Sequence, residues 1–169
     1  MKLLKTLSLV ALSIFVVSCG GKNQTTEPQE EVVAETPGEY NNDDLGIKLK
    51  FDPTLLALAE EDSTQVIFKG IEGKAVLRIY KDVRTDKAGN VLSLNDCFKQ
   101  DEVVKPGHRH AMASFRSDSY LISGRVGDEL YYQKSYFKRG GVMTAILTYP
   151  DAEKETYNVH YLELFGSIQ

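Results

Sequence analysis

An antiparallel β-sheet covered by helices, an α+β layered sandwich, is the fold class this sequence predicts. Three observations carry that expectation. Short apolar–polar alternations recur from Ile47 to Tyr149 and are punctuated by glycine turns. Two stretches, after Ser93 and after Asp151, instead place apolar residues at helical spacing. The chain, with 169 residues and 42% hydrophobic side chains, can build one ordinary core plus an appendage. Its two cysteines exclude a disulfide-stapled mini-protein and a cysteine-rich zinc module.

The elements follow in order. Ile47, Leu49 and Phe51 alternate with Lys48 and Lys50, the pattern of a half-buried strand, and Asp52-Pro53 ends it. Thr54 to Glu61 reads as a short helical turn. Gln65–Lys69 and Ala75–Val83 read as strands joined through Gly70 and Gly73. Ser93-Leu94-Asn95-Asp96 opens a helix with a serine cap and an acid at the third position. Leu94, Cys97 and Phe98 then fall on one face. Four further strands are expected at Met112–Arg116, Tyr120–Val126, Glu129–Lys138 and Val142–Tyr149, with hairpin turns at Gly127-Asp128 and at residues 139–141. Asp151 starts a closing helix with a stripe of Tyr157, Tyr161, Leu164 and Phe165. Consecutive hairpins make an antiparallel sheet, and the two helices must cover its apolar faces.

The appendage is the leader. Met1-Lys2-Leu3-Leu4-Lys5 is a basic start, and an uncharged run from Leu7 to Val17 follows. That run is shorter than the roughly 20 residues a helix needs to span a bilayer, and it matches a secretory signal. Its end, Val16-Val17-Ser18-Cys19-Gly20, resembles a bacterial lipobox. The resemblance implies cleavage before Cys19, a diacylglycerol on its thiol and usually a further acyl chain on its amine. Two or more chains hold a protein on a membrane stably, whereas one holds it marginally. Residues 1–18 are thus expected to be a lipoprotein signal peptide. Residues 19–39 are expected to be the lipidated cysteine with a disordered acidic tether, because their scant apolar content cannot offset the entropy of ordering. A coil of that length would hold the domain about 25 Å from the lipid. The globular domain is expected over 40–169.

Charge follows the same division. Setting aside Lys2, Lys5, Lys22 and the seven acids between Gly20 and Asp44 leaves 17 bases against 17 acids from Leu45 onward. A neutral, exported domain has no basic field for nucleic acid, so no nucleic-acid partner is expected.

From Ser93 on, the domain resembles a known family. Gly124-Arg125-Val126-Gly127-Asp128-Glu129-Leu130-Tyr131-Tyr132-Gln133-Lys134, then Thr144-Ala145-Ile146-Leu147-Thr148-Tyr149-Pro150 and Glu153-Lys154, resemble the C-terminal half of PsbP-like domains. Ser93-Leu94 with its following acid resembles the start of their internal helix. The likeness would extend over about Tyr40 to Gln169, although the tryptophan many members carry after the first strand is absent here. It implies an α/β/α sandwich shared by photosystem-associated PsbP, Mog-type Ran-binding proteins and several bacterial lipoproteins. It also implies a non-enzymatic binding or assembly role.

The remaining chemistry is sparse. Ser135 and Lys138 match the S-x-x-K spacing of serine acyl-enzymes, but that pairing needs a helix. On a strand, an offset of three sends the two side chains to opposite faces. His108 and His110 sit at i, i+2 after Pro106-Gly107, in an expected loop, where Asp101, Glu102 or His160 could complete a metal site. PsbP-like domains are also associated with metal ions. Two ligands do not define a closed site, so a solvated basic loop is the plainer expectation, with no cofactor. Cys97 reads as a small buried hydrophobe. Tyr131, Tyr132 and Tyr136 put aromatics on both faces of one strand, mostly as core. Any part of them exposed at a sheet edge would be a partner-binding patch. The sequence therefore predicts a non-enzymatic module lipid-anchored at the bacterial cell envelope, in the outer membrane if the cell is Gram-negative, acting on a protein partner. The alternatives are a metal-binding protein using His108 and His110, or an envelope enzyme whose site is scattered in sequence.

Overall fold

The computed structural model describes residues 37–168, residue 139 apart. The signal-like segment, Cys19 and the tether up to residue 36 lie outside the described residues. Nine strands form two antiparallel sheets. β1 (Gly38–Asn42) and β2 (Ile47–Phe51) make a two-stranded ribbon. β3 (Leu56–Glu61), β4 (Gln65–Gly70), β5 (Val76–Asp82), β6 (His108–Phe115), β7 (Ser119–Val126), β8 (Glu129–Lys138) and β9 (Gly141–Pro150) form a seven-stranded sheet in the order β3-β4-β5-β9-β8-β7-β6. α1 (Leu94–Asp101) crosses from β5 to β6, and a 3-10 turn (Asp151–Glu153), α2 (Lys154–Tyr157) and α3 (Tyr161–Ser167) close the chain.

Strand alternation decides which side chains each face receives. On one face Val66, Phe68, Leu77, Ile79, Met143, Ala145 and Leu147 are almost fully buried. They pack with Ile47 and Leu49 of β2 and with Tyr157, Leu164 and Phe165 of the closing helices. The expected helical stripe thus does bury its apolar side against the sheet. On the other face Leu94 and Cys97 of α1 pack on Tyr120, Ile122, Tyr131 and Val142. Ser93 caps α1 by accepting a hydrogen bond from the Asp96 amide at 3.2 Å, while its own hydroxyl donates to the Asp96 carboxylate at 2.6 Å.

Four elements differ from the sequence expectation, and sheet pairing explains most of it. Thr54 to Glu61 is not a helical turn throughout: Asp52 supports one turn through Leu55, and β3 then pairs with β4. Leu-Ala-Leu-Ala-Glu-Glu is built of good helix formers, and pairing along the sheet edge overrides that local preference. β1 has no apolar alternation and begins at Gly38, so Gly38 and Glu39 belong to the domain and not to the tether. A side chain at Gly38 would come 2.9 Å from the Phe51 ring across the ribbon. β6 begins at His108, not Met112, because Gly107 turns the chain with φ 81° and the strand starts at once. The closing helix is broken at Asn158–His160, where Asn158 Oδ1 accepts hydrogen bonds from the Tyr132 hydroxyl at 2.7 Å and the Tyr149 hydroxyl at 3.0 Å.

Candidate binding cleft

The two sheet faces are covered unequally, for a reason of size. Eight residues give α1 a length of about 12 Å, whereas seven strands span about 29 Å. α1 therefore covers only part of its face. Beside its C-terminal end lies an open cleft of about 250 Å³.

Cross-strand partners share a face, so the strand registers give the cleft its floor. One row runs His110, Gly124, Tyr131, Thr148 and Val76 through β6, β7, β8, β9 and β5. The next runs Ala113, Ile122, Gln133, Ile146 and Arg78. Gly124 has a specific task. A Cβ there would run into the Arg109 carbonyl and come 2.8 Å from the Tyr131 hydroxyl. The missing side chain lets Tyr131 lie across β7 toward β6. There its ring meets His108 and His110 edge-on, with centroids at 6.0 and 6.3 Å. A bulge between His110 and Met112 shifts the register of β6 at this point. Tyr131 is only 9% exposed, and its hydroxyl is fully buried without a hydrogen-bond partner. Burial also raises its pKa above the usual tyrosine value.

One wall is a saturated polar network. Asp101, the last residue of α1, accepts from Arg84 Nη1 at 2.7 Å, the Tyr120 hydroxyl at 2.6 Å and Gln133 Nε2 at 2.8 Å. Burial works to raise the Asp101 pKa, but these hydrogen bonds and the Arg84 charge outweigh it and hold the carboxyl below its usual range. Burial and the same carboxylate push the Tyr120 phenol well above its usual value. With both oxygens engaged, Asp101 is a structural anion that ties α1 to the sheet.

His108 and His110 lie together on the cleft, on a strand where a loop was expected. His108 Nδ1 is 3.3 Å from the Pro106 carbonyl, an arrangement in which Nδ1 carries the proton and Nε2 stays available. Among the described residues, no three His, Cys, Asp or Glu side chains come together as a group able to hold a metal ion. His160 sits on the other face, lining a separate cavity of about 180 Å³ with Lys50, Phe51, Leu56 and Leu164.

The three tyrosines of β8 are placed by a strand that is central, not an edge. Tyr131 faces α1, while Tyr132 and Tyr136 turn to the closing helices. Tyr132 stacks on Tyr161 at 4.1 Å. The Tyr136 hydroxyl is buried and unpartnered, and burial pushes its pKa up to about 12. Of the three, Tyr131 lines the cleft beside α1, while Tyr132 and Tyr136 are half-buried under the closing helices.

Ser135 is completely buried and bonded to Thr144 at 2.9 Å, whereas Lys138 donates to the Gly46 carbonyl on the opposite side of the sheet. The S-x-x-K pair is split, as strand geometry requires. Cys97 is completely buried, and burial raises its thiol pKa. Lys105, Gly124, Glu129, Gln133 and Thr148 went unrecognised in the sequence as parts of one site. They come from three strands and a loop, and only strand register unites them.

No family model matches the chain, and no curated protein is similar to it in sequence. Similarity appears in three dimensions. The chain superposes on the solution structure of cyanobacterial PsbP (CyanoP) from Synechocystis sp. PCC 6803 with a TM-score of 0.56 at 13% identity. The match covers 90% of this chain and 96% of that one. A Pseudomonas aeruginosa protein of unknown function matches with a TM-score of 0.48 at 16% identity, over 76% of this chain and 93% of that one. At these identities the likeness speaks for architecture alone. The architecture, with an antiparallel sheet dominating and a few helices on its faces, is PsbP-like.

Proposed function

We propose that this chain is a lipid-anchored binding or assembly module of the bacterial cell envelope. In this reading Cys19 carries the acyl chains, the acidic leader spaces the domain from the membrane, and the domain engages a protein partner without catalysing a reaction. The observation that carries it is the half-covered sheet face, a rigid surface with an open cleft beside α1. The PsbP-like fold supports the same reading as an analogy. So does the state of the reactive groups: Ser135 and Cys97 are sealed inside, and Asp101 is saturated by its neighbours.

Chemical crosslinking in intact cells, followed by mass spectrometry, tests the partner. The expected outcome is one reproducible envelope protein joined to the wild-type chain. Fatty-acid labelling tests the anchor, and Cys19→Ala should abolish it. Persistent labelling in that variant would remove the anchor from the proposal, and the absence of any reproducible adduct would remove the partner.

A further inference from the structure

The charges and donors around the cleft specify a ligand chemistry. Lys105 and His110 border it with N–H groups, the His108 ring stands beside them, and Thr148 and Gln133, whose amide already donates to Asp101 and Ser135, lie in its floor. The two carboxylates on its walls are not equivalent. Asp101 is neutralised by Arg84 and has no oxygen to spare. Glu129 stands at the exposed end of β8 and is the one other acid of the lining. Next to the cleft, Arg78 shares a row with Ile146, donates to Gln65 at 2.8 Å and lies 4.9 Å from the Tyr80 ring. Among the described residues no carboxylate pairs with Arg78 or Lys105. Counting Arg78, two cations without a carboxylate partner stand against Glu129, so the exposed charge along this face is cationic by one, although the domain as a whole is neutral.

The Tyr131 hydroxyl adds an independent observation. A buried, unpartnered hydroxyl is unfavourable in a folded protein, and it sits where a glycine and a bulge make room for it. The two histidine rings that flank it line the cleft. A carboxylate entering between them would meet N–H donors and supply the acceptor that the phenol lacks.

We propose that the cleft receives an acidic side chain, Asp or Glu, from an extended segment of the protein partner. This deepens the binding-module reading and rests on it. The partner's carboxylate accepts hydrogen bonds from His110 and Lys105, with the His108 ring beside them. Rotation of the histidine rings brings it to the Tyr131 hydroxyl, and the neighbouring backbone lies along the uncovered rows toward Arg78. Charge-assisted hydrogen bonds of this kind are the stronger ones in proteins.

Histidine NMR tests the proposal directly, because the protein's three histidines divide between the faces. The full chain in detergent micelles is titrated with a capped hexaglutamate peptide, and separately with succinate and a capped hexalysine peptide. The expected result is a saturable shift of the His108 and His110 ring resonances by hexaglutamate, with His160 unmoved and hexalysine without effect. Tyr131→Phe and, separately, Lys105→Gln should each weaken the binding about fivefold or more. The second variant alters only an exposed side chain, so its effect does not depend on refolding.

Unmoved His108 and His110 signals, or equal movement of all three histidines, would overturn the proposal. Succinate saturating the same shifts as tightly as the peptide would overturn the partner segment in favour of a small carboxylate. A cellular crosslinked partner without these shifts sinks the acidic segment alone. Shifts without any cellular partner sink the module reading on which it rests.

Discussion

The two faces of the seven-stranded sheet are made by the same strands and meet opposite fates. One receives Leu77, Ile79, Met143, Ala145 and Leu147 and is covered by a ribbon and two helices. The other receives Arg78, Tyr80, Gln133, Ile146 and Thr148 over much of its area, with α1 on only one part. The first face is held by apolar burial, worth about 1.5–3 kcal/mol for each large side chain fully covered. The second combines a smaller apolar cluster under α1 with a few directional contacts that converge on Asp101. Stability and exposed surface are thus divided between the faces of a single sheet.

The half-covered face is most vulnerable at Asp101. Asp101→Ala would leave the largely buried Arg84 with only the half-exposed Asp82 at 3.4 Å, and breaking a buried pair costs at most about 3–5 kcal/mol. Urea unfolding should show that loss together with weaker protection of α1 amides. The same carboxylate makes stability pH-dependent. Its folded pKa is lowered, so its contribution is complete above the unfolded value of about 3.9 and declines as pH falls through the folded value. Wild type should lose stability across that acid range, and Asp101→Ala should lose less.

On the sealed face, Leu77→Ala should cost about 2–5 kcal/mol by leaving a cavity under the closing helices, read as a lower urea midpoint with unchanged slope. Ser93→Ala removes the cap of α1 and should cost about 1 kcal/mol. Arg78→Ala, on the uncovered rows, should change stability by less than about 0.5 kcal/mol. A large loss at Arg78 would mean that this face is part of the stabilising core.

The sealed face was the more legible in the sequence. Ile47-Lys48-Leu49 and the apolar alternation of β4, β5 and β9 announce a buried side, and Ser93 announces a helix start with its own chemistry. β3 was hidden because leucine, alanine and glutamate prefer helix locally, and β1 because Gly-Glu-Tyr-Asn-Asn has no alternation to read. The cleft was legible as the pair His108 and His110 with Asp101 as a possible companion, and separately as Tyr131. Its floor depends on Gly124 standing opposite Tyr131, and on Gln133 opposite Ile146. Those are matters of register between strands, which no window along the chain contains.

A photo-crosslinking amino acid placed at Arg78 or at Lys48 shows which face meets the partner. Both positions are exposed, the first on the uncovered rows and the second on the ribbon that covers the other face. In intact cells an adduct with one identifiable envelope protein is expected from position 78 and none from position 48. An adduct from position 48 alone, or equal adducts from both, would contradict the claim that the half-covered face is the binding surface.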